Sequence, residues 1–259
     1  MKDVVKNIRK NVLKMAHYSH ASHVGSALSS VDIIATLYFK IMNICAENLK
    51  SKNRDKFILS KAHASTALYA TLAEKGFISQ ESLFKYYIDD GVLTGHLDNQ
   101  SVCGVDCSAG SLGHGLSVGI GMALANAANN VYVLMGDGEC NEGSVWEAFM
   151  LLGKLKLRNI TAIIDKNKLQ GFGFNKEIID QDNLLSSITS FGLDVFEVNG
   201  HEIAALEGAF KACSERTKVI IANTIKGKGV SFMENKLEWH YKSPNDIQLI
   251  EALKEIENS

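Results

Sequence analysis

The sequence predicts an α/β protein with a doubly wound, mostly parallel sheet that is flanked by helices. Three apolar runs without polar alternation, VYVLM (131–135), ITAIID (160–165) and KVIIANT (218–224), are rich in β-branched residues. Such runs are typical of parallel strands that are covered on both faces. Helical patterns separate them, as a parallel sheet requires. The chain of 259 residues contains no repeat or linker, so we expect a single domain over 1–259.

The first half of the chain is predicted to be mainly helical. Apolar residues at helical spacing predict a helix over residues 4–15. The segment SVDIIATLYFKIMNI predicts a second helix, starting after Ser29 and Ser30, where a serine can accept free backbone N–H groups. Residues 55–76 read as strand, turn and helix, and residues 106–125 as a glycine-rich turn and a helix of small residues. We expect that last helix to pack on several sides.

The second half alternates strands and helices more regularly. The segment DVFEV (194–198) is a candidate for one more strand beside the three apolar runs. Helical patterns are predicted for residues 141–157 and for residues 201–215.

The composition excludes several classes of function. The 27 Lys and Arg residues against 29 Asp and Glu residues give a net charge of −2, which argues against nucleic acid or an anionic membrane as a partner. No segment reaches the roughly 20 apolar residues of a membrane span, and the N-terminus lacks the pattern of a signal peptide. Five cysteines do not form a disulfide framework, and the close pair Cys103 and Cys107 has no further zinc ligands nearby. A cytoplasmic protein is predicted.

Oxygen-bearing side chains follow two of the predicted strands. Asp137 stands between Gly136 and Gly138 after VYVLM, and Asn167 follows ITAIID about 30 residues further along, the length of one strand-helix-strand unit. Carboxylate and amide oxygens favour Mg²⁺ or Ca²⁺ over zinc, and glycines let the backbone approach a diphosphate. The alternative is that Asp137 only caps the helix over 141–157.

Two further signals are ambiguous when taken singly. The glycines of GHGLSVG imitate a dinucleotide-binding fingerprint, but no strand immediately precedes them, which argues against a nicotinamide or flavin dehydrogenase. Four histidines, His23, His63, His96 and His240, fall in loop-like segments. A lone histidine is more often a surface or core residue than a catalytic one.

Together these segments resemble one family. The segments SHVGSALSSVDIIATLYF, DKFILSKAHASTALYATLAEKG, AGSLGHGLSVGIGMALA, GDGECNEGSVWEA, IIDKNKLQG and IKGKGVSFMENKLEWH resemble, in this order, the N-terminal half of transketolase. They are most similar to the stand-alone N-terminal subunits of split bacterial transketolases. The resemblance covers nearly the whole chain.

The resemblance implies thiamine diphosphate and a divalent metal, Mg²⁺ or else Ca²⁺ or Mn²⁺, as cofactors. The enzyme would transfer a two-carbon ketol unit from a ketose, such as a sugar or sugar phosphate, to an aldose. Asp137 and Asn167 would be metal ligands through their side chains, and Leu169 through its carbonyl oxygen. The residues that would contact the thiamine cofactor are His63, Gly110, Leu112, Gly136, Asp137, Gly138, Glu142 and Asn167.

The resemblance also assigns catalytic and interface residues. His23, His96 and His240 match histidines that face the reacting carbons. Glu142 matches a glutamate that forms a hydrogen bond across a subunit interface near the cofactor; the alternative is simple pairing with the dipole of the following helix.

A partner subunit is expected as well. In the family, a glutamate on a pyrimidine-binding domain activates the cofactor, and the chain ends at Ser259, where that domain would begin. We therefore expect a separate pyrimidine-domain subunit in a two-plus-two heterotetramer. The alternatives are another thiamine diphosphate enzyme, such as a dehydrogenase component or a deoxyxylulose phosphate synthase-like protein, and a non-catalytic binding protein of the same fold.

The sequence departs from the family pattern at several positions. SHVG stands where Gly-His-Pro-Gly is common, and Leu97 replaces a proline after His96. His114 replaces the usual glutamine of the Leu-Gly-Gln-Gly turn, and Glu139 is an additional acid without an assigned role. The identity of the sugar substrate is therefore left open.

Overall fold

The computed structural model describes residues 1–259 and contains a five-stranded sheet in which every neighbouring pair is parallel. The strands lie in the order β1-β2-β3-β5-β4. This arrangement confirms the predicted α/β class and the strand candidate over 194–198. The strands are β1 (Lys56–Leu59), β2 (Val131–Gly136), β3 (Ile160–Lys166), β4 (Asp194–Asn199) and β5 (Lys218–Asn223).

Nine helices surround the sheet. They are α1 (Lys2–Tyr18), α2 (Val24–Thr36), α3 (Ser65–Glu74), α4 (Gly115–Ala125), α5 (Gly143–Leu155), α6 (Asn175–Ile178), α7 (Leu184–Ser190), α8 (Ile203–Lys211) and α9 (Asp246–Asn258). The sequence patterns indicated α1, α3, α4, α5 and α8, but not α6, α7 or α9. A signal for α9 was present, because Asn245 and Gln248 form a capping box at its start.

The two faces of the sheet are buried in two separate hydrophobic cores. Along β2, Tyr132 and Leu134 pack in the core formed with α1, α2, α3, α8 and α9, whereas Val131, Val133 and Met135 pack in the core formed with α4, α5 and α7. Successive side chains of a strand point to opposite faces, so both sets must be apolar. The uninterrupted apolar runs of the sequence follow from this two-sided burial.

The predicted start of the second helix was wrong. Helix α2 begins at Val24, several residues before Ser30, and a π-helical turn over Leu37–Ile41 extends it. Ser29 and Ser30 therefore lie inside the helix, where both hydroxyls donate to the carbonyl oxygen of Ser26 and to the carboxylate of Asp165. Tertiary hydrogen bonds satisfy these serines, so they do not act as caps.

Helix α4 packs against the sheet and against α5, and its remaining side is exposed. Gly119 faces β2, since a Cβ atom placed there would lie 2.5 Å from Val133 Cγ2. On the opposite side, however, Val118 and Leu124 are exposed, and a Cβ atom at Gly121 would meet nothing. Gly119 thus allows α4 to pack closely against β2.

One helical segment, Val24–Ile41, is long and apolar enough to cross a membrane by length and composition. Most of it (83%) is buried inside the protein, as is usual for a core helix. All five cysteines are free thiols, in line with the absence of a predicted disulfide framework.

Candidate active site

A cavity of about 400 Å³ lies beyond the carboxyl ends of β1, β2 and β3, the edge at which α/β sheets bind ligands. All site residues predicted from the sequence line this cavity. They are His23, His63, His96, Gly110, Leu112, Gly136, Asp137, Gly138, Glu142, Asn167, Leu169 and His240. The fold thus brings together residues that are spread over most of the chain, while their individual roles stay predictions.

The three oxygen donors predicted to bind metal lie in adjoining loops. Strands β2 and β3 pair with Gly136 opposite Asp165, so Asp137 and Asn167 leave the sheet side by side. Asp137 Oδ2 accepts a hydrogen bond from the Lys168 amide at 2.5 Å, and Asn167 Oδ1 accepts one from the Leu169 amide at 3.1 Å. Asp137 does not cap α5, because that helix begins at Gly143 after Glu142. The alternative is therefore wrong for α5, but Asp137 is the N-cap of the short 3₁₀ helix Gly138–Asn141 before it, where Oδ1 accepts from the Gly138 amide at 2.8 Å.

The fold disfavours the ionised form of the Asp137 carboxyl group. Burial raises its pKa to about 6, and the nearby charge of Asp165 adds to this effect; hydrogen bonds from the amides of Lys168 and Gly138 oppose it. A divalent cation would supply the missing positive charge. Carboxylate, amide and carbonyl oxygens are donors that Mg²⁺ and Ca²⁺ accept. These three oxygen donors therefore fit a divalent cation. The structure contains no group of three or more His, Cys, Asp or Glu side chains that could hold a metal ion.

Gly138 lies close to Gln170, in the loop that follows β3. A Cβ atom at Gly138 would lie 2.8 Å from Gln170 Cγ, nearer than real Cβ contacts come. At Gly136 the nearest side-chain atom would be Lys61 Cβ, at 3.9 Å. A side chain at Gly138 would therefore displace the Gln170 side chain, and the Gly136 and Gly138 amides already donate to Glu139 Oε2 and Asp137 Oδ1.

A buried ion pair beneath the cavity was missed from the sequence. Lys61 is 1% exposed and Asp165 is fully buried, and Lys61 Nζ donates to Asp165 Oδ2 at 2.5 Å. Burial by itself would raise the pKa of Asp165, but Lys61 and the hydroxyls of Ser29 and Thr224 outweigh it and hold the pKa below its usual value. Two sequence features could have indicated this pair: Lys61 lies within an apolar segment, and Asp165 lies at the end of a predicted strand.

Lys226 is a second buried lysine that the sequence did not single out. Its Nζ donates to the carbonyl oxygen of Leu169 at 2.8 Å and lies 2.9 Å from His240 Nδ1. Burial lowers its pKa to about 8, and the charge of Lys61 adds to this effect. Lys226 therefore orients both a predicted metal ligand and a predicted catalytic histidine.

The four histidines from loop-like segments form one cluster. The ring centroid of His23 lies 4.8 Å from that of His240, 5.3 Å from that of His63 and 6.2 Å from that of His96. His23 has a φ of +72°, a left-handed conformation that is uncommon for non-glycine residues, and its amide donates to the His240 carbonyl at 2.9 Å. Non-glycine residues held in such conformations concentrate at functional sites.

Three histidines of the cluster, His23, His63 and His240, are uncharged at neutral pH. Burial lowers the pKa of His23 to about 4, with further contributions from His96, Lys226 and Lys61. Burial and the charge of Lys226 lower the pKa of His240 to about 3. The pKa of His63 also lies well below its usual value because of burial. These rings are neutral and can each donate one hydrogen bond and accept another.

This neutrality predicts a loss of stability in acid. The unfolded chain protonates His23 near pH 6.5 but the folded chain only near pH 4, so the free energy of unfolding falls as the pH drops from 6.5 towards 4. Because the ring is partly exposed, we expect His23 to contribute about 1 kcal/mol between pH 7 and pH 5. Urea unfolding at both pH values should show a smaller difference for His23→Gln than for the wild type. An identical pH dependence would contradict the prediction.

The turn at Gly110 and Leu112 closes one side of the cavity. A Cβ atom at Gly110 would come within 3.7 Å of the His96 ring, so the turn faces the histidine cluster. Glu142 lies at the start of α5 and is exposed, with no side-chain capping bond to the helix. Glu139, in contrast, is buried beneath the turn.

The fold and the cavity define a cofactor-binding α/β domain, and comparisons with known proteins identify the family. The family model described as "Transketolase, thiamine diphosphate binding domain" matches residues 1–256. The chain belongs to the transketolase family. This match confirms the family predicted from the sequence segments.

Three curated relatives illustrate the similarity. The chain is 40% identical over 255 residues to an apulose-4-phosphate transketolase subunit of Phocaeicola vulgatus, covering 96% of this chain and 90% of the relative. It is 38% identical over 258 residues to a 6-deoxy-6-sulfo-D-fructose transketolase subunit of Clostridium sp., covering 96% of this chain and 94% of the relative. The match to transketolase of Homo sapiens is 34% over 248 residues, covering 93% of this chain but 40% of the human protein.

Solved structures agree on the fold. The chain superimposes on transketolase from Leishmania mexicana with a TM-score of 0.91 at 23% identity, covering 99% of this chain and 41% of that one. The match to transketolase from Campylobacter jejuni has a TM-score of 0.87 at 26% identity, covering 99% of this chain and 42% of that one. The chain therefore spans about two fifths of the length of these transketolases.

Proposed function

We propose that this chain is the thiamine diphosphate-binding subunit of a two-component transketolase. The enzyme transfers a two-carbon ketol unit from a ketose donor to an aldose acceptor. The observation that carries the proposal is the single cavity in which Asp137, Asn167 and Leu169 adjoin the histidine cluster. Relatives of similar length, whose names describe them as subunits of a transketolase, support the division into two components.

The cofactors would be held at the carboxyl edge of the sheet. Asp137, Asn167 and the carbonyl of Leu169 would hold Mg²⁺, with Ca²⁺ or Mn²⁺ as substitutes. The backbone of Gly136 and Gly138 would contact the diphosphate; His63, Gly110, Leu112 and Glu142 would contact the rest of the cofactor. Thiamine diphosphate supplies the electron sink that allows a carbon–carbon bond next to a carbonyl to break.

The histidines supply hydrogen bonds at the reacting carbons. His240 Nδ1 accepts from the Lys226 ammonium, so the proton of the neutral ring is assigned to Nε2, which is then available as a donor. His23 and His96 can bind substrate hydroxyls and move a proton to or from a developing alkoxide. These rings serve that role at neutral pH because burial keeps His23 and His240 unprotonated.

The partner in our proposal is a pyrimidine-domain subunit in a two-plus-two heterotetramer. Helices α4 and α5 pack side by side and expose apolar side chains, and exposed Glu142 lies at the start of the same α5. Exposed apolar side chains on two packed helices next to a cofactor cavity are typical of a subunit interface. These side chains are Val118, Leu124, Met150, Leu151 and Leu155. Free thiols at all five cysteines support a cytoplasmic location.

The donor sugar is an open part of the proposal. Two relatives are named for unusual ketoses, apulose 4-phosphate and 6-deoxy-6-sulfo-D-fructose. In this chain, valine and leucine follow His23 and His96, where the family often has proline. These substitutions adjoin two predicted substrate histidines and support a specialised ketose donor.

Co-expression with the product of an adjacent pyrimidine-domain reading frame tests the proposal. The purified pair is assayed with apulose 4-phosphate, 6-deoxy-6-sulfo-D-fructose and xylulose 5-phosphate, each with and without thiamine diphosphate and Mg²⁺. We expect ketol transfer only when both chains and both cofactors are present. Full transfer by this chain alone would overturn the two-component assignment. Failure of the cofactor-loaded pair with every donor would count against the transketolase activity.

A further inference from the structure

Glu139 joins three segments that surround the cofactor cavity. Its side chain is 2% exposed. Oε1 accepts hydrogen bonds from the Gly113 amide, at 2.8 Å, and from the Ser60 hydroxyl, while Oε2 accepts from the Gly136 amide at 3.2 Å. One carboxylate therefore connects the end of β1, the end of β2 and the turn that precedes α4.

Other hydrogen bonds of that turn involve Ser144, Ser60 and the His114 ring, which lies 3.1 Å from the Leu112 carbonyl oxygen. The Ser144 hydroxyl donates to the Gly113 carbonyl at 3.0 Å, and the Gly115 amide donates to Ser60 Oγ at 3.2 Å. A Cβ atom at Gly115 would lie 2.5 Å from that of Ser60, so the turn rests directly on the end of β1. Since Ser60 also donates to Glu139, the turn depends on this carboxylate both directly and through Ser60.

We propose that Glu139 is a positioning residue that fixes the turn over residues 110–113 at the cofactor cavity. The proposal rests on the proposed function, in which Gly110 and Leu112 contact thiamine diphosphate. A carboxylate suits the position because both of its oxygens only accept hydrogen bonds. A glutamine would place its NH₂ group against the N–H of either Gly113 or Gly136, leaving a buried donor without an acceptor.

Hydrogen–deuterium exchange of the purified chain, without cofactor, tests the positioning directly. In Glu139→Gln we expect the hydrogen-bonded amides of Gly113 and Gly115 to exchange at least 10-fold faster than in the wild type, while those of β3 and β5 keep their rates. The matched control is Glu147→Gln, which changes an exposed glutamate on α5 and should leave the turn unaffected. Unchanged exchange of the turn in Glu139→Gln would overturn the proposal.

A second measurement follows the consequence for the cofactor. In the assembled pair with Mg²⁺, Glu139→Gln should weaken thiamine diphosphate binding about 10-fold by calorimetry. If the wild-type pair binds no thiamine diphosphate, the proposed function fails, whereas the exchange result still decides the role of Glu139. Should Glu139→Gln not fold, Glu139→Asp replaces it, because the shorter side chain keeps the charge but withdraws the carboxylate from the Gly113 amide. Wild-type exchange of the turn in Glu139→Asp would then overturn the proposal.

Discussion

Asp137→Ala is expected to abolish the metal-dependent binding of thiamine diphosphate. The substitution removes the only carboxylate among the three predicted metal ligands, and Mg²⁺ binds neutral oxygens weakly without one. We expect the dissociation constant of thiamine diphosphate, measured by calorimetry on the assembled pair at fixed Mg²⁺, to rise at least 100-fold. Because burial raises the pKa of Asp137 to about 6, its ionised form does not stabilise the metal-free fold. The variant should therefore remain folded.

Two controls separate a binding defect from a folding defect. Asp182→Ala removes an exposed carboxylate and should leave the dissociation constant unchanged. Circular dichroism of Asp137→Ala should match that of the wild type in the absence of metal. Tight Mg²⁺-dependent binding by a folded Asp137→Ala variant would show that the metal is held elsewhere.

Lys61→Met should cause the largest loss of stability among single substitutions at the cavity. It leaves the fully buried charge of Asp165 with hydroxyl donors alone. Removing one partner of a buried ion pair typically costs about 3–5 kcal/mol. We expect a decrease of that size in the free energy of unfolding, measured by urea denaturation at pH 7.

A second substitution and a matched lysine test the cause of this loss. Lys61→Met combined with Asp165→Asn should recover most of the stability, because the neutral amide still accepts from the surrounding hydroxyls. Lys56→Met is the control, because Lys56 also pairs with a buried carboxylate, that of Asp106. Asp106 keeps its contacts with Arg54 in this variant, so the free energy of unfolding should fall by less than about 1 kcal/mol. Equal losses for Lys61→Met and Lys56→Met would contradict the assigned role of the buried pair.

The strands and the residues that follow them could be predicted from local sequence. Apart from Asp165 near the end of β3, the buried positions of strands β2, β3 and β5 are apolar, so each strand can be recognised from its own segment. Asp137 and Asn167 follow two such strands directly, and parallel pairing is sufficient to place them at one edge. The start of α2 could not be predicted in the same way, because burial, and not a local cap, determines where that helix begins.

Residues that act through distant partners were missed. Lys61 and Asp165 are 104 positions apart, and neither indicates the other in the sequence. Glu139 resembles an ordinary acid near a helix start until the Ser60 hydroxyl and the Gly113 amide are placed against it. Hydrogen bonds between segments far apart in the chain leave no periodic signal, so local patterns cannot reveal them.

The sequence by itself determined the α/β class through its local hydrophobic patterns, and it determined the family and twelve of the residues that line the cavity through motifs that resemble that family. Only the tertiary structure decided which charges are buried together: the Lys61–Asp165 pair, the contact of Lys226 with His240, and the three bonds of Glu139. The physical reason is that burial and pairing set the state of an ionisable group, and both arise only when distant segments pack against one another.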